Sequence, residues 1–157
     1  MNRIKSVVVS GGFDPIHVGH LRMFKEASEL APRPIVVVNN DNFLMQKKSY
    51  VFMPITERME IIKSFGMVDK VVESIDMDLT VCKTLEWLAT EENLIIFANG
   101  GDRNSKDDIS ETEVCEGNNI RLEFNIGGGK IQSSSSLVVK EIIKPWGSYK
   151  TFEKDKG

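Results

Sequence analysis

The chain has 157 residues, of which 41% are hydrophobic and 27% charged, and a formal net charge of -3. That size and apolar fraction predict a single domain around one core, and the near balance of charge excludes the global positive field that gathers nucleic acid or an anionic membrane. Any anionic ligand must then be held by local groups.

Two cysteines, Cys82 and Cys115, lie far apart without CxxC spacing, which argues against a metal knuckle or disulfide scaffold and predicts a reducing, cytoplasmic setting. The apolar run after Arg3 and Lys5 is too short for a signal peptide or a membrane span. A soluble protein is expected.

In chain order, the first element is the β-branched run Val7-Val8-Val9, closed by Gly11-Gly12; it reads as a strand buried on both faces, the kind found in parallel sheets. Apolar residues at three and four spacing then predict a helix over Leu21 to Leu30. Ile35-Val36-Val37-Val38 is a second strand, ending at Asn39-Asn40-Asp41, and the stretch after it, with Lys47-Lys48, reads as a loop. Pro54 signals the start of a helix over Ile55 to Phe65, and Lys70-Val71-Val72-Glu73 is a minor strand. A helix over Val81 to Glu91 leads into the strand Leu94-Ile95-Ile96-Phe97, which ends at Asn99-Gly100-Gly101-Asp102. Ile120 to Ile126 is the last strand, followed by Gly127-Gly128-Gly129, and a final helix is expected from about Ser135 to Ile143, capped by one of the preceding serines. Around Asp76-Met77-Asp78 a metal is conceivable, but a solvated loop is the simpler reading. Alternation of strand and helix predicts an α/β fold, a Rossmann-like open parallel sheet flanked by helices, over residues 1–143. Ligands of such a sheet bind beyond the carboxyl ends of the strands, where all the polar and glycine loops fall.

The chemistry concentrates between the first strand and first helix, in Gly11-Gly12-Phe13-Asp14-Pro15-Ile16-His17-Val18-Gly19-His20. This is not the dinucleotide fingerprint, which needs three glycines in GxGxxG spacing. His17 and His20 are three apart and project from one face of a helical turn, with Gly19 between them letting a phosphate approach the backbone. A lone histidine there is ordinarily a cap or a surface group, yet the chain has only two histidines and both fall in this loop. Zinc is the rival reading, but two histidines with Asp14 leave no fourth ligand cluster. Imidazole N–H groups at a helix N-terminus, whose free amides already favour anions, suit nucleotide phosphates and the charge that builds on departing pyrophosphate.

Gly11 to His20 resembles the HxGH signature of the cytidylyltransferase-like nucleotidyltransferase superfamily, near its glycerol-phosphate cytidylyltransferases and heptose-phosphate adenylyltransferases, and the likeness runs from about Ser6 to Ile143. It implies transfer of CMP or AMP from CTP or ATP to a small phosphorylated acceptor by direct in-line attack, with positioning and charge stabilisation as the means of catalysis. It implies Mg2+ with the triphosphate, held mostly by substrate oxygens and water, so no metal-ligating residue is assigned. It also implies a homodimer.

Within this resemblance Asp14 orders the motif loop, and Lys47 or Lys48 reaches the triphosphate or the acceptor phosphate. Arg58 resembles the family's helix-opening arginine, whose guanidinium forks onto phosphate oxygens. Gly100, Gly101, Asp102 and Arg103 resemble the loop on which base or ribose closes, and Ser133, Ser134 and Ser135 the cluster that opens the final helix on the β and γ phosphates. Lys130 stands where the glycerol-phosphate enzymes carry the arginine of an Arg-Thr-Glu-Gly-Ile-Ser-Thr pattern, which this sequence replaces with glycines. Gly-Gly-Phe-Asp-Pro also resembles the adenylyltransferases for pantetheine phosphate or nicotinamide mononucleotide, and a non-catalytic nucleotide-binding module is the third alternative. The tail from Lys144 to Phe152 resembles the opening of cupin-type sugar-phosphate isomerase domains, a remnant or a packed tail over residues 144–157.

Overall fold

A computed structural model describes residues 3–101, 109–128 and 133–143. Its elements in chain order are β1 (Lys5–Gly11), α1 (Val18–Ser28), β2 (Arg33–Val38), α2 (Asp41–Lys48), α3 (Ile55–Lys63), β3 (Lys70–Glu73), α4 (Cys82–Glu91), β4 (Asn93–Ala98), α5 (Thr112–Gly117), β5 (Arg121–Glu123) and α6 (Ser134–Ile143). Five strands form one sheet in the order β3-β2-β1-β4-β5, and every neighbouring pair is parallel. The sheet is covered on both faces, which is why its strands read as unbroken apolar runs. Val7, Val9, Val36 and Val38 point into a layer with Phe24, Ala27 and Ile62 of α1 and α3. Val8, Ile35, Val37 and Phe97 point the other way, onto Leu85 and Leu88 of α4 and Cys115 of α5. Each fully buried side chain of this size contributes roughly 1.5–3 kcal/mol of burial free energy.

The chain runs outward from β1 to β3 on one side and from β4 to β5 on the other. The order therefore reverses between β1 and β4, and a crevice opens there at the carboxyl edge. Register keeps the strand ends level: Gly11 lies opposite Val38, Val9 opposite Ala98, and Ala98 opposite Glu123. At the other edge Arg33 pairs with Asp69 and Glu92, and Lys70 reaches Glu92 at 2.9 Å, tying together the starts of β2, β3 and β4.

Four elements differ from the sequence expectation. The stretch after Asn40, read as a loop, is the helix α2; Asn40 caps it by accepting from the Phe43 N–H at 2.8 Å, and Ser49 ends it in the left-handed region. Its buried residues are only Phe43 and Leu44, adjacent in sequence, and Met45 is exposed, too little to register as periodicity. The helix α5 was not expected at all and is only six residues long. The last strand stops at Glu123 rather than Ile126, because Asn125 and Gly127 take positive φ and carry the chain off the ladder. Finally, α1 starts at Val18 rather than Leu21, which puts His20 in its first turn.

Among the described residues no helix is long and apolar enough to cross a membrane. Burial pushes the Cys115 thiol up to about 12 and raises that of Cys82, so neither offers a thiolate nucleophile near neutral pH. The tail from residue 144 lies outside the described residues.

Candidate active site

The loop between β1 and α1 is built on an apolar anchor. Phe13 sits at φ 53 with its ring folded back over Gly11, where an added Cβ would meet two ring atoms at 2.9 Å. The buried ring packs edge-on against Phe24 and His20, with centroids 5.3 and 4.9 Å apart. Asp14, expected to order the loop, is fully buried. Its carboxylate accepts from the Phe52 and Met53 N–H groups at 2.6 and 2.5 Å, and its backbone carbonyl accepts from Lys48 Nζ at 3.0 Å. The segment between α2 and α3 is thereby fastened to the motif loop.

His17 is the N-cap of α1, and the two histidines form a reciprocal capping box: His17 Nδ1 accepts from the Gly19 N–H and His20 Nδ1 from the His17 N–H, each at 3.1 Å. Backbone donors at both Nδ1 atoms place the proton of each neutral ring on Nε2. The rings stack with centroids 3.8 Å apart and 24° between planes. Two N–H donors are thus preset side by side at the start of a helix, where backbone amides and the helix dipole favour an anion.

These residues line a cavity of about 310 Å3 at the carboxyl edge of the sheet. Toward β4 and β5 its walls are Gly100, Gly101, Gly127, Gly128 and the first turn of α6, with Ser133, Ser134 and Ser135; toward β2 they are Asn39, Phe43, Leu44, Lys47 and Lys48. Gly127 lies at φ +89, and a Cβ there would come within 3.0 Å of the Met23 backbone, so only glycine lets this loop close on α1. Its N–H is held by the Glu26 carboxylate, and the Ser134 hydroxyl donates to the Pro15 carbonyl at 2.6 Å, which locks the start of α6 against the motif loop. Ser133 Oγ accepts from the Ser136 N–H at 3.4 Å as a cap.

The cytidylyltransferase-like family model matches residues 8–138. The chain belongs to the cytidylyltransferase-like family. It is similar to the FAD synthase of Thermococcus kodakarensis, 37% identical over 78 residues, which cover 46% of this chain and 52% of that one. It is also similar to the glycerol-3-phosphate cytidylyltransferase of Bacillus subtilis, 25% identical over 113 residues covering 72% and 83% of the two chains. The chain spans about half the length of the FAD synthase it matches. Among solved structures, the lipopolysaccharide core biosynthesis protein from Thermoplasma volcanium superposes with a TM-score of 0.59 at 22% identity over 81% of this chain and 99% of that one, a likeness of fold.

In this cytidylyltransferase-like chain one expected site residue lies apart from the cavity lining. Arg58 does not reach the cavity: it is 1% exposed, and its guanidinium donates to the carbonyls of Met53, Gly12 and Asn39 at 2.7–2.8 Å and to the Asp41 carboxylate at 2.6 Å. The reason is geometric, because α3 packs beneath the motif loop and turns its first-turn arginine inward, where backbone carbonyls compete successfully for the fork.

The lysine pair divides. Lys48 is committed to Asp14 and burial lowers its ammonium, while Lys47 is exposed, lies 5.7 Å from the Phe43 ring, and has no hydrogen bond or ion pair among the described residues. Asp102, Arg103 and Lys130 fall outside the described residues. The sequence reading missed Asn39, Leu79, Val81 and Glu111, which all line the cavity and are buried except Leu79. The positions of Asn39, at the end of a predicted strand, and of Leu79 and Val81, after a minor one, were the available signal.

Burial, and secondarily the neighbouring His17, lowers His20 to about 3, so its ring is neutral at any pH where the protein functions. The unfolded chain takes up this proton near 6.5. Between those values the unfolded state binds more protons, so the stability due to His20 is complete above pH 6.5 and is lost as the pH falls. Urea midpoints at pH 6.5 and 5.5 should show the wild type losing about 1 kcal/mol more than His20→Asn over that interval. Equal losses would mean that the folded ring is not held neutral.

Proposed function

We propose that the protein is a nucleotidyltransferase that moves a nucleoside monophosphate from CTP or ATP onto a small phosphorylated acceptor and releases pyrophosphate. The observation that carries this reading is the pair of stacked imidazoles with both Nδ1 atoms pinned by backbone N–H groups. An oxygen of the acceptor phosphate attacks the α-phosphorus in line. A new P–O bond forms, the bond to the bridging oxygen toward the β-phosphorus breaks, and its electrons leave with pyrophosphate. The attacking phosphate is already ionised, its second pKa being about 6, so no side chain has to remove a proton. His17, His20 and Lys47 then meet the charge growing on the phosphoryl oxygens and leaving group, together with the amides at the start of α6. The glycine loops after β4 and β5 are the place for the nucleoside, and Ser133 and Ser135 flank its phosphates.

The resemblance implies magnesium with the triphosphate. Among the described residues no group of three His, Cys, Asp or Glu side chains comes together to hold a metal, and both Asp14 oxygens are taken by amides. This donor set suits phosphate, and magnesium arriving with the triphosphate would be held mostly by the nucleotide's own oxygens and water. Homodimerisation is a further expectation, read by light scattering.

A second reading has ATP as donor and a coenzyme precursor as acceptor; likeness to an FAD synthase favours it. Thermal shift with CTP and with ATP, each with magnesium, separates the donors: at a nucleotide concentration 100 times Kd, binding adds about 2.7 kcal/mol. Pyrophosphate release across alcohol, sugar and coenzyme-precursor phosphates then identifies the acceptor. Stabilisation by a nucleotide without turnover on any of them would favour a non-catalytic nucleotide-binding module, and no stabilisation by either nucleotide would remove the reading altogether.

A further inference from the structure

We propose that the side-chain amide of Asn39 reads the acceptor and selects phosphate esters whose carbon chain carries hydroxyl groups close to the phosphate. This rests on the nucleotidyl-transfer reading and assigns the acceptor half of the same cavity.

Asn39 follows β2, is 6% exposed, and lines the cavity. Its main chain is fixed at both ends of the residue: the N–H donates to the Gly11 carbonyl at 2.8 Å, and the carbonyl accepts from Arg58 at 2.7 Å. Its side chain has no such anchor. Oδ1 is sealed from solvent and has no hydrogen-bond partner among the described residues. The adjacent Asn40 is the internal contrast, since its Oδ1 accepts from the Phe43 N–H at 2.8 Å and its Nδ2 donates to the Ser74 and Asp76 carbonyls at 3.0 Å. A fold that satisfies one of two neighbouring amides completely and leaves the other with a buried unmet oxygen is holding the second for something outside the chain.

The position of Asn39 says which part of the ligand that is. The glycine loops and the start of α6 occupy the β4 and β5 end of the cavity, whereas Asn39 follows β2; Leu44, Leu79 and Val81 are among the apolar residues that line the same cavity. Glu111 lines the cavity as well, with Oε1 accepting from the Val81 N–H at 3.1 Å. With the nucleoside at the glycine end and the phosphates at the histidines, the acceptor body falls on Asn39. Apolar walls make an unmade hydrogen bond there costly. The unmet atom is an acceptor, which a substrate hydroxyl satisfies and a methylene does not. A site built to bond a substrate hydroxyl discriminates strongly against the analogue that lacks it.

The test is a graded series of three-carbon phosphates: propyl phosphate, propane-1,2-diol 1-phosphate and glycerol 3-phosphate. Each is assayed by pyrophosphate release with the full chain and with Asn39→Ala and Asn39→Ser, and nucleotide thermal shift is measured on all three proteins. In the wild type kcat/KM should rise by about tenfold or more from the propyl to the glycerol ester. Asn39→Ala should flatten that ratio and Asn39→Ser restore part of it, through KM more than kcat, with the nucleotide shift unchanged. The unliganded Asn39→Ala protein should melt no lower than the wild type, because a buried acceptor without a partner has been removed. The same ratio in wild type and either variant overturns the proposal, as does a wild type that prefers or equally accepts propyl phosphate, or that turns over none of the three while still stabilised by nucleotide. Absence of nucleotide stabilisation would instead strike the transfer reading, and this proposal with it.

Discussion

His17→Ala should lower kcat for pyrophosphate release by about 100- to 1000-fold, the cost of removing one preset donor to a developing phosphoryl charge, or roughly 2.7–4 kcal/mol. His17 has two jobs that such a variant confounds. Its Nδ1 caps α1 by accepting from the Gly19 N–H, and its ring stacks on His20 with Nε2 as the protonated nitrogen. Loss of the cap costs about 1 kcal/mol, a fall in Tm of about 2–4 °C for a domain of this size, which leaves the protein folded at assay temperature. His17→Asn separates the two jobs, because asparagine is a good N-cap but does not place an N–H where the imidazole Nε2 lies. Stability should return in that variant and turnover should not. Unchanged kcat in both would remove His17 from the chemistry.

Arg58→Met should do the opposite, lowering stability by about 3–5 kcal/mol. That is a large part of the roughly 5–15 kcal/mol available to a domain, and Tm should fall by roughly 10 °C or more. The guanidinium joins the motif loop at Gly12, the end of β2 at Asn39, the start of α2 at Asp41 and the chain before α3 at Met53. Removing it strands three carbonyls without a donor, and an unsatisfied buried acceptor costs about 1–3 kcal/mol. Arg58→Lys should recover little, since one ammonium cannot reproduce a planar fork reaching four acceptors. Melting curves test the first claim, and kcat measured well below the lowered Tm tests the second, where turnover should persist at a reduced level. A Tm within 2 °C of wild type with turnover lost would return Arg58 to the phosphates.

Much of the architecture was legible in the residues. Runs such as Val7-Val8-Val9 and Ile35 to Val38 are buried on both faces of a parallel sheet, so their composition alone betrays them, and the glycine and asparagine stops mark the edge where a ligand sits. The pairing of His17 with His20 was legible for a similar reason, because a helical turn fixes what three residues of spacing bring together. The roles of Arg58 and Asn39 were not. Arg58 meets carbonyls 46 and 19 residues away in sequence, and a backbone carbonyl has no residue type by which to announce itself. Asn39 and Asn40 are the same residue at successive positions, one holding a buried oxygen that no described group meets and the other bonded throughout. Local sequence determined which elements form and where the phosphate loop lies, because those depend on short-range sterics and periodic burial. Which polar side chains point into the cavity and which are spent beneath it was decided only by the packing of α2 and α3 against the sheet, since that competition is settled by distances between distant segments.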